Sequence, residues 1–94
     1  MQKINLEDKI QFASLMIVEG KVKNLEAFYH YLPKRIVAEI LGVNIVRFSN
    51  GKSNQPGDFK LAELLKLSHT LNVEHHIIID IFKNSFENNI TVTA

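Results

Sequence analysis

The stretch "VAEILGVNIVRF", Val37–Phe48, joins two apolar helical patterns at a single Gly-Val pair. Before it, Val37, Ile40 and Leu41 form a stripe, with Ala38 small where a neighbouring helix needs close approach. Gly42 supplies the positive φ of a sharp turn, because it has no Cβ to clash there. Val43 is expected to plug the space between the two helices. Asn44 is a good N-cap for a second helix through about Ser49, with Phe48 on its inner side.

Outward from this pair the chain reads as helical throughout. Residues 5–19, "NLEDKIQFASLMIVE", form an amphipathic pattern with Asn5 as cap and Glu7 and Asp8 in the first turn. Leu6, Ile10, Ala13 and Ile17 share one face of it, and Gly20 stops it. Residues 24–32 read as a short helix capped by Asn24, with Leu25, Phe28 and Tyr29 inward. Pro33 opens the next helix, which runs to Leu41, since proline is tolerated at a first helical position. "NGKSNQPGD" at 50–58 is dense in turn formers and reads as a loop. Residues 59–71 carry Leu61, Leu64, Leu65, Leu67 and Leu71 at helical spacing. In 75–88, "HHIIIDIFKNSFEN", the β-branched run favours a strand, but Ile78, Ile81, Phe82 and Ser85 fit one helical face, so a helix is expected. The end, 89–94, reads as a frayed tail. The expectation is an all-α chain, a compact bundle of five to six helices.

Composition narrows the function classes. A chain of 94 residues fits one domain, and its 46% hydrophobic content supplies a core. No cysteine is present, which excludes a disulfide framework, a thiol nucleophile and any thiolate metal site. The longest apolar runs are far shorter than the roughly 20 residues of a membrane span, so a soluble, cytoplasmic protein is expected. His75 and His76 are adjacent, which on a helix turns them about 100° apart, and His30 and His69 belong to different helices. No metal site or cofactor is therefore expected. "GKS" at 51–53 lacks the glycine that a phosphate loop places where Val46 stands. No nucleophile, base and orienter fall together, and no catalysis is expected.

Charge is uneven. Residues 20–66 hold eight basic residues against Glu26, Glu39, Asp58 and Glu63, a net of +4, while the flanks net −3. A nucleic-acid face backed by a neutral body would show this division.

The segments "KRIVAEILGVNIVRFS" and "LAELLKLSHTLNV" resemble the Xre/Cro-like, phage-repressor-type helix-turn-helix family of DNA-binding domains. "YLPKRIVAEILGVN" and "PGDFKLAELLKLS" resemble a compact bacterial subgroup with an extra N-terminal helix. The resemblance spans roughly residues 24–82. It implies a lambda-repressor-like core over 24–88 preceded by an N-terminal extension over 1–23. It also implies double-stranded DNA as partner and a role as a transcriptional repressor or the DNA-binding half of an antitoxin-like system. Carried over by position, Lys34 and Arg35 lie beside the phosphate backbone. Asn44 sits at the mouth of the recognition helix, and Ile45, Val46, Arg47, Ser49 and Asn50 face the major groove. Arg47 is the candidate for a guanine edge and Asn50 for an adenine edge, while Lys52 is placed on a phosphate. Two features depart from the family. Its outward positions are commonly glutamine, serine or threonine where this chain has Ile45 and Val46, and "SNGK" ends the helix early. The competing expectation is a protein-interaction module that keeps the fold without DNA binding, with a toxin or co-regulator as partner.

The helix at 75–88 has more apolar side than one small core covers. Ile78, Ile81 and Phe82 are either core of a larger bundle or the seam of a homodimer, and the seam is the expectation adopted.

Overall fold

In the computed structural model, which describes residues 6–89, Gly42 takes φ 72° and closes a helix over Lys34–Leu41 (α3). The N–H of Gly42 donates to the Glu39 carbonyl and that of Val43 to the Ala38 carbonyl, at 3.2 and 3.0 Å. These bonds satisfy the carbonyls that a helix end leaves open. Two residues after Gly42, Asn44 caps α4, Ile45–Asn50, its Oδ1 accepting the Arg47 N–H at 3.1 Å.

A second junction repeats the device. Helix α5, Leu61–Leu71, ends on Asn72 at φ 56°, and Val73 N–H donates to the Ser68 carbonyl at 3.0 Å before α6, His75–Asn89, begins. "LGVN" at 41–44 and "LNVE" at 71–74 thus make the same turn, asparagine being one of the few residues besides glycine that adopt the left-handed conformation. Helix α1 spans Leu6–Val18 and α2 spans Leu25–Tyr31, the latter capped by Asn24 Oδ1 on the Ala27 N–H. Asn5, the expected cap of α1, lies outside the described residues, as do residues 90–94 of the expected tail.

The expected loop at 50–58 is more ordered than its composition implies. It folds into two 3₁₀ turns, Lys52–Asn54 and Pro56–Asp58, with Ser53 and Pro56 buried. Ser53 Oγ donates to the Ser49 carbonyl at 3.0 Å, tying the first turn to the end of α4.

The chain is an all-helical, compact small bundle. Its core includes a closed circuit of five aromatic rings. Phe28 meets Phe82, Phe82 meets Phe59, Phe59 meets Phe48, Phe48 meets Tyr29 and Tyr29 returns to Phe28, all edge to face at centroid separations of 4.7–6.4 Å. Such contacts add to area burial because each positive ring edge meets a negative ring face. The rings come from α2, α4, α6 and the strand-like approach to α5, so four parts of the chain lock on one another.

This arrangement corrects the expected dimer seam. Ile78, Ile81 and Phe82 are 0%, 2% and 3% exposed within the single chain, packed against α5, α2 and the second 3₁₀ turn. The bundle uses them for its own core, with α2, α5 and the second 3₁₀ turn covering this face. Ser85 on the same face accepts the Leu25 N–H at 2.7 Å, joining α6 to the start of α2. Val43 is a second correction: it is exposed, and the interhelical space is filled by buried Val37, Ala38 and Phe48 instead. Leu61 and Leu65 likewise face outward.

Candidate nucleic-acid interface

Helix α4 is held from one side only. Phe48 is its one fully buried residue and enters the aromatic circuit between Tyr29 and Phe59. The opposite side carries Val46, 61% exposed, and exposed Asn50, with exposed Arg47 on the flank and Ile45, one turn before Phe48, 38% exposed at the edge of the anchored side. A helix fixed through its inner face and bare on its outer one is able to enter a groove without unfolding anything.

The nine candidate residues separate into groups. Asn44, Arg47 and Lys52 line one shallow pocket with Val43 and Phe48, at the junction of α4 with the 3₁₀ turn. Asn44 commits its oxygen to the Arg47 N–H, so its role at the start of α4 is a cap. Ser49 is half-buried and its carbonyl takes the Ser53 hydroxyl. Arg35 is exposed in the first turn of α3.

The two lysines are less free than the sequence implies. Lys34 Nζ lies 5.4 Å from the Tyr29 ring centre and donates to Asn54 Oδ1 at 3.2 Å. It faces a cleft shared with Asn24, Ser53 and Ser85, away from the Arg47 pocket. Lys52 Nζ approaches both carboxylate oxygens of Glu63, at 2.6 and 2.7 Å, and lies 5.4 Å from the centre of the Phe59 ring. Its expected role as a phosphate contact is therefore compromised: its charge is already met. Burial acts to raise the Glu63 carboxyl, but the Lys52 hydrogen bond, the Lys60 backbone N–H at 2.8 Å and the two lysine charges outweigh it and hold the group below its ordinary range.

Two features of this surface escape the sequence pattern. Phe59, in an unremarkable "DFK", packs on Phe48 and Phe82. Lys60, exposed beside Glu63 at the start of α5, adds a cation to the rim. Among the described residues no group of three or more His, Asp or Glu side chains could hold a metal, and no helix is long and apolar enough to cross a membrane. Compared with protein-family models, curated proteins and solved structures, the chain gives no match.

Proposed function

We propose that this chain binds double-stranded DNA by laying the outer face of α4 in the major groove, and that it acts as a bacterial transcriptional regulator of the repressor or antitoxin-like kind. The observation that carries the reading is the one-sided anchoring of α4: Phe48 is sunk in the aromatic circuit while Val46, Arg47 and Asn50 stand outward. The resemblance of residues 24–82 to the Xre/Cro-like family supports the docking mode, in which α3 braces α4 from behind. Arg35 in the first turn of α3 and Arg47 in α4 supply exposed positive charge, and Lys34 adds to it only by leaving its Asn54 contact.

The test is a fluorescence titration of a labelled random-sequence duplex at low salt, repeated as salt is raised. With Lys52 neutralised, about three phosphate contacts per protomer are expected from Lys34, Arg35 and Arg47. The log–log salt slope should then be near −3 per protomer. No binding at about 50 mM salt overturns the reading.

One observation favours a second reading. Val43, Ile45 and Val46 form an exposed aliphatic surface beside a neutralised lysine, which fits docking of another protein as well as a groove. A flat duplex titration with an intact fold would leave that reading in its place.

A further inference from the structure

The sequence holds one asparagine followed by glycine, Asn50–Gly51, and this pair closes α4. Asn50 lies two residues past buried Phe48, about 200° of helix turn, so it faces away from the anchored side. Its side chain is exposed and bonded to nothing among the described residues. Other asparagines are held. Asn44 Oδ1 accepts the Arg47 N–H, Asn54 Oδ1 accepts from the Lys34 ammonium, and Asn84 Nδ2 donates to the Lys23 carbonyl. After Asn24 the next backbone nitrogen is itself engaged, the Leu25 N–H donating to Ser85 Oγ at 2.7 Å. The Gly51 nitrogen is open by comparison. An added Cβ there would meet only the Arg47 carbonyl oxygen, at 3.4 Å, and the N–H makes a long bond of 3.3 Å to the Phe48 carbonyl.

We infer that Asn50–Gly51 is a site of self-modification, where the Asn50 side-chain amide becomes a carboxylate on the outer face of α4. The Gly51 nitrogen gives up its proton and bonds to Asn50 Cγ. The bond from Cγ to the amide nitrogen breaks, and that nitrogen leaves with the proton as ammonia. The product is a cyclic succinimide. Water then adds to one of the two ring carbonyls and reopens the ring. One opening gives aspartate; the other gives isoaspartate, with the backbone rerouted through the side-chain carbon. Nothing is oxidised or reduced, and water is the sole co-reactant. Glycine matters because it has no side chain to screen the attacking nitrogen. A helical ψ keeps that nitrogen away from Cγ, so Asn50 must first leave the helix. It is the last residue of a six-residue helix, where such fraying costs little.

The product changes α4 in two ways. A carboxylate replaces a neutral amide beside the open carbonyls of a helix C-terminus, where negative charge is unfavourable. An isoaspartate also lengthens the backbone just before the 3₁₀ turn at Lys52–Asn54. If α4 is the DNA-reading helix, the consequence is a loss of hold on DNA. A carboxylate only accepts hydrogen bonds, so it lacks the paired donor and acceptor that an asparagine offers an adenine edge. It also repels phosphate. That consequence rests on the DNA-binding reading; the modification does not.

The full chain is warmed at mildly alkaline pH, digested and weighed by mass spectrometry. Trypsin cuts after Arg47 and Lys52, which separates residues 48–52 from the peptides carrying Asn44 and Asn54. The 48–52 peptide should gain about one mass unit, split into two isomers and take up oxygen from labelled water, while the other two peptides stay unchanged. Gly51→Ala and Asn50→Gln should each slow the gain about tenfold or more, the first by screening the nitrogen and the second by enlarging the ring to be closed. No gain at 48–52, an equal gain in the Asn44 peptide, or an undiminished rate in both variants would overturn the inference. Asn50→Asp carries one product from the start. It should bind duplex more weakly than wild type, with a log–log salt slope smaller by about one. Equal binding of the two would overturn the loss of DNA contact. If neither binds, the DNA-binding reading fails and the mass gain alone decides the modification.

Discussion

The Lys52 ammonium and the Glu63 carboxylate face each other across eleven residues of chain, 2.6 Å from one oxygen and 2.7 Å from the other, above the Phe59 ring. Both side chains are mostly shielded, with relative exposures of 25% and 19%. Glu63 also accepts the Lys60 N–H, so one carboxylate holds the 3₁₀ turn after α4 to the first turn of α5.

Glu63→Gln separates these two roles, because the amide oxygen still accepts the Lys60 N–H while the charge is lost. The carboxyl is held below its ordinary 4.5, so its contribution to stability is fully present above that value and is lost as pH falls through the lower folded value. At pH 7 the variant should melt a few degrees below wild type, about 1 kcal/mol at roughly 5 °C each. As pH is lowered through the folded value the gap between the two melting temperatures should shrink. A gap that does not change as the pH falls would show that the charge pair does not stabilise the fold. The same variant frees Lys52, so the salt slope of duplex binding should steepen by about one.

Gly42 and Gly57 separate two reasons for needing glycine. A Cβ at Gly42 meets nothing within 4 Å, but φ is 72°, so Gly42→Ala should cost roughly 1–2 kcal/mol through backbone conformation alone. At Gly57 the conformation is ordinary, and an added Cβ would sit 2.8 Å from the ring of Phe86. That ring is half exposed and able to swing away, so Gly57→Ala should cost less, and Phe86→Ala should abolish the difference. Thermal denaturation of the three variants and of the Gly57→Ala, Phe86→Ala pair checks this. Equal losses at Gly42 and Gly57 would contradict it.

The helices were legible because their signals are local. Asn24, Gly42 and Asn44 act within three residues of themselves, and the structure uses each as its pattern implies. The last helix was legible despite its isoleucines because Ile78, Ile81, Phe82 and Ser85 repeat at helical spacing, and that face is the buried one. What that face packs on was not legible, since a surplus of apolar residues does not say whether the core or a second molecule covers it. The 3₁₀ turns at 52–58 were hidden for a related reason: burial of Ser53 and Pro56 against distant helices holds them, and their composition is that of any loop. At the candidate interface the residue types were readable, but the neutralisation of Lys52 was not, because a partner eleven positions away on another helix leaves no periodic trace.

The exposed aliphatics of α4 lead to a prediction about base readout. Asn44 spends its oxygen on the cap and Ser49 turns partly inward, so Val46, 61% exposed, is the most prominent group on the outer face. An aliphatic side chain offers no donor or acceptor, and the main apolar feature of the major groove is the thymine methyl. Duplexes selected by this chain from a random library should therefore carry a thymine at a fixed position. Replacing that thymine by uracil removes the methyl and keeps the pairing. The loss should be about 1 kcal/mol, near the burial energy of a methylene, or roughly fivefold in affinity. Val46→Ala on the thymine site should lose a similar amount and should make the uracil replacement nearly silent. The two changes act on one contact, so their effects should not add. A chain that selects and binds a site but shows fully additive losses would keep the DNA-binding reading and exclude Val46 from the groove. A chain that selects nothing would fail the DNA-binding reading itself.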